Sequence, residues 1–213
     1  MIRTLLLAVL SVTVFFACLP AGAQTLRETL FESIKAGDYA ETARLVKAGV
    51  HYTARNAEGE PPLIVAAENA RLDVVRLLLT NGADAAARST NAETALHSAA
   101  LHAEADIAWH LLRHGTPPDS VNRDGESPLY WAALSGSIDV VRLLVERGAQ
   151  IARIDAKGNS PLHAAAADGH IEVVAYLIEK KANRTLRNKA GERPADVAKS
   201  RGQDAVLELL SKR

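Results

Sequence analysis

Residues 160–174 read SPLHAAAADGHIEVV, and this stretch decides the fold. Ser160 is a residue type that caps helix N-termini, and Pro161 suits a first helical position. His163 then falls where a capping box carries Glu or Gln, three residues after the cap. Gly169 interrupts the apolar run, and Ile171-Glu172-Val173-Val174 resumes it. The stretch reads as helix, break, helix. The same letters also place His163 and His170 near Asp168, a set that could serve metal binding or acid–base work. What separates the two readings is whether the pattern recurs.

It recurs every 33 residues. Leu63, Leu96, Leu129 and Leu162 keep that spacing, as do Gly59, Ala92, Gly125, Gly158 and Gly191. Gly49, Gly82, Gly115 and Gly148 form a third register, with Lys181 in the next place. Leu45, Leu78, Leu111, Leu144, Leu177 and Leu210 carry the period through six units. A fixed period of this length is the mark of a solenoid, in which no unit buries its apolar face alone. In the fourth unit Ser127 caps, Pro128 opens a helix running through Leu134, and Gly136 ends it. A second helix starts at Ile138 and stops before Gly148. Polar, glycine-containing residues such as Ala149–Asn159 join one unit to the next.

These units resemble ankyrin repeats, whose signature is a T-P-L-H-x-A-A segment in a 33-residue period. The matching segments are 160–166 (SPLHAAA), 94–100 (TALHSAA), 127–133 (SPLYWAA) and 61–67 (PPLIVAA). GHIEVV at 169–174 and GSIDVVRLLVERGA at 136–149 match the second half. The resemblance covers about residues 26 to 210 and implies an all-α ankyrin-repeat solenoid. The expected organisation is one domain, 24–213, in units 24–56, 57–89, 90–122, 123–155, 156–188 and 189–213, the first and last being atypical caps. Departures from the pattern are Pro61 at a capping position, Ala70 and Ala103 at mid-repeat glycine positions, and Lys181 at a closing glycine.

Within this frame Thr94, Ser127 and Ser160 are structural caps, and His97 and His163 are their box partners. The resemblance implies that these histidines hydrogen-bond the turn carrying the Ser or Thr. His170 is then an ordinary residue following the mid-repeat glycine. His110 and His114, with His102 upstream, have helical spacing that suits a metal. Yet the register puts His110 where Leu77, Leu143 and Tyr176 stand, and His114 directly before Gly115, where ankyrin repeats often carry histidine. A metal-handling or enzymatic protein built on His102, His110 and His114 is therefore the alternative, not the main reading. G-x-S-x-G, H-E-x-x-H and a phosphate loop are all absent from the sequence. No cofactor and no catalytic residue are expected.

The resemblance implies a concave groove lined by the turns and the inner face of each first helix. By register that surface holds seven acids (Glu58, Glu60, Glu68, Glu93, Asp124, Glu126, Asp168) against two bases (Arg123, Lys157). The whole chain balances 25 basic against 25 acidic residues, so nothing in the balance suggests a nucleic-acid binder, and no nucleic-acid partner is expected. The groove suits a protein partner with a basic surface. Trp131, flanked by Tyr130 and Leu134, is the expected anchor, with Glu93, Asp124 and Glu126 around it and Leu101 and His102 one unit earlier. In the stripe Val65, Ser98, Trp131, Ala164 only Trp131 is large, so its ring is expected to protrude. Trp109, on the second helix, marks a possible second patch.

The first residues follow a different pattern. Arg3 precedes a mostly apolar run, Leu5 to Leu19, and Ala21-Gly22-Ala23 follows Pro20. This is the layout of a secretory signal with an A-x-A cleavage site, predicting a signal peptide over 1–23 and a periplasmic or secreted protein. Fifteen residues rising about 1.5 Å each do not span a hydrocarbon core of about 30 Å. The sole cysteine, Cys18, lies in this segment, so lipid anchoring there is the alternative. Phe15-Phe16-Ala17 departs from a lipobox, which has leucine where Phe15 stands. The expected function is that of an exported, monomeric interaction module that binds a protein partner through its concave face, as a scaffold, an inhibitor or immunity protein, or a support for an envelope protein.

Overall fold

The computed structural model describes residues 21–50 and 53–211. The described residues form twelve helices and no strand. They come in consecutive pairs: α1 (Ala21–Ala36) with α2 (Tyr39–Lys47), α3 (Pro62–Glu68) with α4 (Leu72–Thr80), α5 (Ala95–Leu101) with α6 (Ala105–Arg113), α7 (Pro128–Ser135) with α8 (Ile138–Glu146), α9 (Pro161–Asp168) with α10 (Ile171–Glu179), and α11 (Pro194–Ser200) with α12 (Asp204–Ser211). The first helices stack in one row, α1 to α11, and the second helices in another, α2 to α12. The expected leader falls mostly on residues outside those described, as does Cys18; only Ala21–Ala23 open α1. No helix among the described residues is long and apolar enough to cross a membrane.

The core lies between the two rows. Leu45, Leu78, Leu111, Leu144 and Leu177 are fully buried, and so are Leu96 and Leu129. Each such side chain contributes about 1.5–3 kcal/mol by leaving water. The alanines beside them (Ala66, Ala99, Ala132, Ala165) are equally buried. Their small size lets neighbouring first helices approach closely. A bulky residue at any of these sites would overpack a contact repeated along the row.

Local chemistry sets the helix ends. Thr94, Ser127 and Ser160 all have extended cap dihedrals, and the Ser127 side chain accepts the Tyr130 N–H. Pro61 caps α3 without a side-chain hydrogen bond. Gly136 and Gly169 close α7 and α9 in the left-handed region. Ala70 and Ala103 adopt the same geometry with φ of 54° and 62°, as do Ala92 (62°) and Lys181 (65°). A Cβ is strained there, so these four positions follow the fold's demand against their own preference. The terminal units close the stack with their own caps. Asp38 accepts the Glu41 N–H before α2, and Asp196 accepts the Arg193 N–H at the start of α11.

Candidate partner-binding groove

The turns between units are built from one device used five times. Asn56, Ser89, Asn122, Asp155 and Asn188 are 33 residues apart, and the side chain of each accepts the backbone N–H four residues on, at 2.7, 3.2, 2.9, 2.7 and 2.9 Å. Short Asn, Asp and Ser side chains suit such local bonds. Successive turns are then tied together: the Thr90 hydroxyl donates to Glu58 O at the first junction, and at the next three the backbone does so, Arg123 N–H donating to Asn91 O, Ala156 N–H to Asp124 O and Lys189 N–H to Lys157 O. The turns therefore form a continuous rigid edge beside the first-helix row.

This edge carries the acids. Glu60, Glu93 and Glu126 occupy one register, each directly after the turn. Asn56 and Asn122 donate their side-chain amides to Glu60 and Glu126, both at 2.8 Å. Glu68, on α3, is pushed up to about 7 by burial and by the charges of Glu60 and Glu93. Burial also raises Glu93, with Glu60, Glu126 and Asp124 adding to it and the Ser89 hydroxyl opposing. Like charges held this close by a hydrogen-bonded edge cannot separate. They create a standing negative potential over units two to four.

Behind the acids sit the two box histidines. His97 Nδ1 accepts from Thr94 N–H at 3.1 Å and lies 3.0 Å from the Thr94 hydroxyl, and its Nε2 faces Glu126 O at 3.2 Å. The N–H forces Nδ1 to accept and the carbonyl forces Nε2 to donate, so the ring is neutral. His163 repeats the arrangement with Ser160 and Glu192 O. Burial drives the His97 pKa down to about 4 and lowers that of His163. Each histidine joins its own helix cap to the next unit's turn.

Trp131 is only half-exposed. Its indole N–H donates to Glu126 at 2.8 Å, and its ring meets His97 edge-on with centroids 5.6 Å apart. The expected free knob is thus corrected: the indole lies folded against its own turn and holds the Glu126 carboxylate in place. The stripe is corrected with it, since Val65, Ser98 and Ala164 are buried by the neighbouring helices. Tyr130 and Leu134 are half-buried, Leu101 and His102 are exposed, and Asp124 stands exposed on the turn.

The histidine alternative is not assembled. Among the described residues no three His, Cys, Asp or Glu side chains lie in metal-binding geometry, so His102, His110 and His114 do not converge. The His114 ring bonds the His110 carbonyl, and the His110 ring packs on Trp109. Trp109 lies under the Arg113 guanidinium, 4.8 Å from its centroid. One feature escaped the sequence. His170 Nε2 bonds Leu134 O of the previous unit at 2.8 Å, and Arg71 and Gln203, in the same register, reach back to Lys35 O and Ala167 O. A polar residue recurring every 33 positions (Arg71, Glu104, Ser137, His170, Gln203) was the available signal.

A family model described as ankyrin repeats (3 copies) matches residues 63–155 and 151–213. No curated protein matches the chain.

Proposed function

As the chain belongs to the ankyrin-repeat family, whose stacked units are protein–protein interaction modules, we propose that its groove binds a protein partner through a basic surface of that partner. The observation that carries this reading is the row Glu60, Glu93, Glu126 beside Glu68, whose pKa is pushed up to about 7 by burial first and by the charges of Glu60 and Glu93 second. A lysine or arginine arriving over the row relieves that repulsion, so part of the binding energy comes from the unbound state's own strain. Leu101, Tyr130 and Leu134 supply apolar contact beside the acids. The reading involves no catalytic step and no cofactor, and the chain acts as a monomer.

Export accompanies this function. Cleavage after Ala23 leaves Gln24 as the N-terminus of a periplasmic or secreted protein. N-terminal sequencing of the protein from the cell envelope tests this. Gln24 supports it, whereas a lipid-modified Cys18 replaces it with anchoring. For binding, the partner recovered by pull-down is measured by surface plasmon resonance against wild type and Glu60→Gln/Glu93→Gln/Glu126→Gln at low and high salt. The triple variant is expected to associate more slowly and to lose most of its salt dependence. Unchanged rates at low salt sink the groove assignment and move attention to the second-helix face around Trp109.

A further inference from the structure

One acid of the groove sits where the other units carry no charge of its sign. Glu68 ends α3, and the same place holds Lys35 in α1, Leu101 in α5, Leu134 in α7, Ala167 in α9 and Ser200 in α11. α3 stacks directly on α1 and on α5. Glu68 is therefore flanked by Lys35 on one side and by Leu101 on the other. Leu101 is one of the few large apolar side chains left exposed, at 37%. Half-buried beside it, the Glu68 carboxylate has less water around it than an exposed one.

The charges around it do not compensate. Burial raises the Glu68 pKa most, Glu60 and Glu93 on the turn edge raise it further, and Lys35 opposes them from α1; the result is about 7. Lys35 forms no ion pair with Glu68 among the described residues, and the carboxylate accepts no hydrogen bond there. Arg71, before α4, donates to the Lys35 carbonyl at 2.9 Å and pairs with no carboxylate among the described residues. α5 brings Leu101 and the buried, neutral His97, and the exposed imidazole of His102 follows it. In neutral solution the Glu68 carboxyl is divided between its two forms. Its proton stands in for a cation that the chain does not supply.

An unpaired acid with an exposed leucine one helix on fits a Lys or Arg side chain, whose alkyl stem covers apolar surface while its cation meets the carboxylate. We propose that Glu68 and Leu101 form the subsite for one Lys or Arg of the bound partner, and that filling it displaces a proton from Glu68 into solvent. The carboxyl O–H gives up its proton to water, and the arriving cation takes its place beside the carboxylate. The groove then holds its partner in neutral and alkaline solution and loosens it in acid. The sign follows from linkage: the partner's cation lowers the hold of Glu68 on its proton, so affinity climbs as pH rises towards the free carboxyl's pKa and levels off above it. This rests on the partner-binding reading above, and it adds the pH dependence and the residue that sets it.

The test uses a rhodamine-labelled lysine peptide of about ten residues, long enough to cross units two to four at about 3.3 Å per residue. Its ammonium groups, with pKa values of about 10.4, stay charged throughout. Affinity for the full chain is measured by fluorescence anisotropy at constant low ionic strength, from about pH 5.5 to about pH 8. Wild type should bind about tenfold more tightly at the upper end than at the lower. Glu68→Gln keeps the side chain's size and removes a charge that opposes folding. It should bind more weakly at the upper end and vary by less than about twofold over the range, whereas His102→Gln should vary as wild type does. Leu101→Ser should weaken binding about equally at every pH, and Glu60→Gln/Glu93→Gln should move the inflection to lower pH. Calorimetry at about pH 6.5, in two buffers of different ionisation enthalpy, should record proton release from wild type and little from Glu68→Gln. A peptide that is weakened by Glu60→Gln/Glu93→Gln/Glu126→Gln overturns the inference and leaves the proposed function standing if its affinity is flat with pH, if the dependence survives in Glu68→Gln or vanishes in His102→Gln, if Leu101→Ser changes nothing, or if wild type releases no proton. A peptide that ignores the triple variant, or does not bind at all, overturns both.

Discussion

His97 concentrates the physics of one residue. It is fully buried, it spans two units, and its ring is held neutral by a donor on one nitrogen and an acceptor on the other. Its folded pKa near 4 lies below the unfolded value of 6.5, so the unfolded chain binds the extra proton first. The resulting stability is fully present above pH 6.5 and is lost as pH falls towards 4, by roughly 3 kcal/mol in all. His97→Gln keeps an acceptor for the cap but removes the titration. The stability difference between wild type and His97→Gln, from urea unfolding, should therefore shrink by about that amount from pH 7 to pH 4. Glu68 acts in the opposite direction, since its raised pKa penalises folding as pH rises through 4.5 to 7. It is common to both proteins and cancels. His163→Ala leaves Ser160 N–H and Glu192 O without their partner and should cost about 2–3 kcal/mol at pH 7. A loss below 0.5 kcal/mol, roughly that of a surface change, would show the bonds to be dispensable.

Single helices show where local preference yields to the period. Gly136 and Gly169 meet the left-handed turn after a first helix with no strain. Ala70 and Ala103 do the same job with a Cβ, and Ala92 does it in the connecting turn. The stack dictates these dihedrals, because each unit must deliver its second helix to the same row. Ala92→Gly and Ala103→Gly should each raise stability by about 0.5–1 kcal/mol, and Lys181→Gly likewise, as relief of Cβ strain outweighs added unfolded-state entropy. Denaturant midpoints of the single variants and their combination measure this. Additive gains are expected, since the three sites lie in separate turns, and a fall in midpoint would contradict the strain argument.

Across the molecule, stability is a chain of nearest-neighbour junctions. The four-to-five junction has a visible latch: His170 reaches Leu134 O, and a Cβ on Gly136 would overlap the His170 ring. Gly136→Ala adds left-handed strain (φ 77°) to that overlap. Hydrogen exchange should then rise chiefly in α7 to α10 and leave α3 and α4 near wild type. Uniform loss of protection would mean that the solenoid unfolds as one unit. The same nearest-neighbour logic shapes the surface. The turn edge holds Glu60, Glu93 and Glu126 in line, whereas the step from Trp131 to Ala164 opens a cavity one unit later.

The sequence by itself determined the period, the two helices of each unit, the capping role of Ser160 with His163, and the buried leucines. These rest on contacts within a unit or on identical contacts between units, and a 33-residue repeat writes both into one dimension. It also showed that the first-helix side is rich in acid. Only the tertiary structure decided what each side chain meets across the stack. Trp131 was legible as a large residue among small ones, but its bond to Glu126 and its contact with His97 depend on how the turn folds over the helix below. Val65 and Ser98 looked like surface and are buried, because the adjacent first helix comes close enough to cover them. His170 looked incidental and is a latch between units. The Trp131–His97 contact and the His170–Leu134 bond join groups more than 30 residues apart, and the Trp131–Glu126 bond depends on a tryptophan that no other unit repeats, so the period carries no record of them.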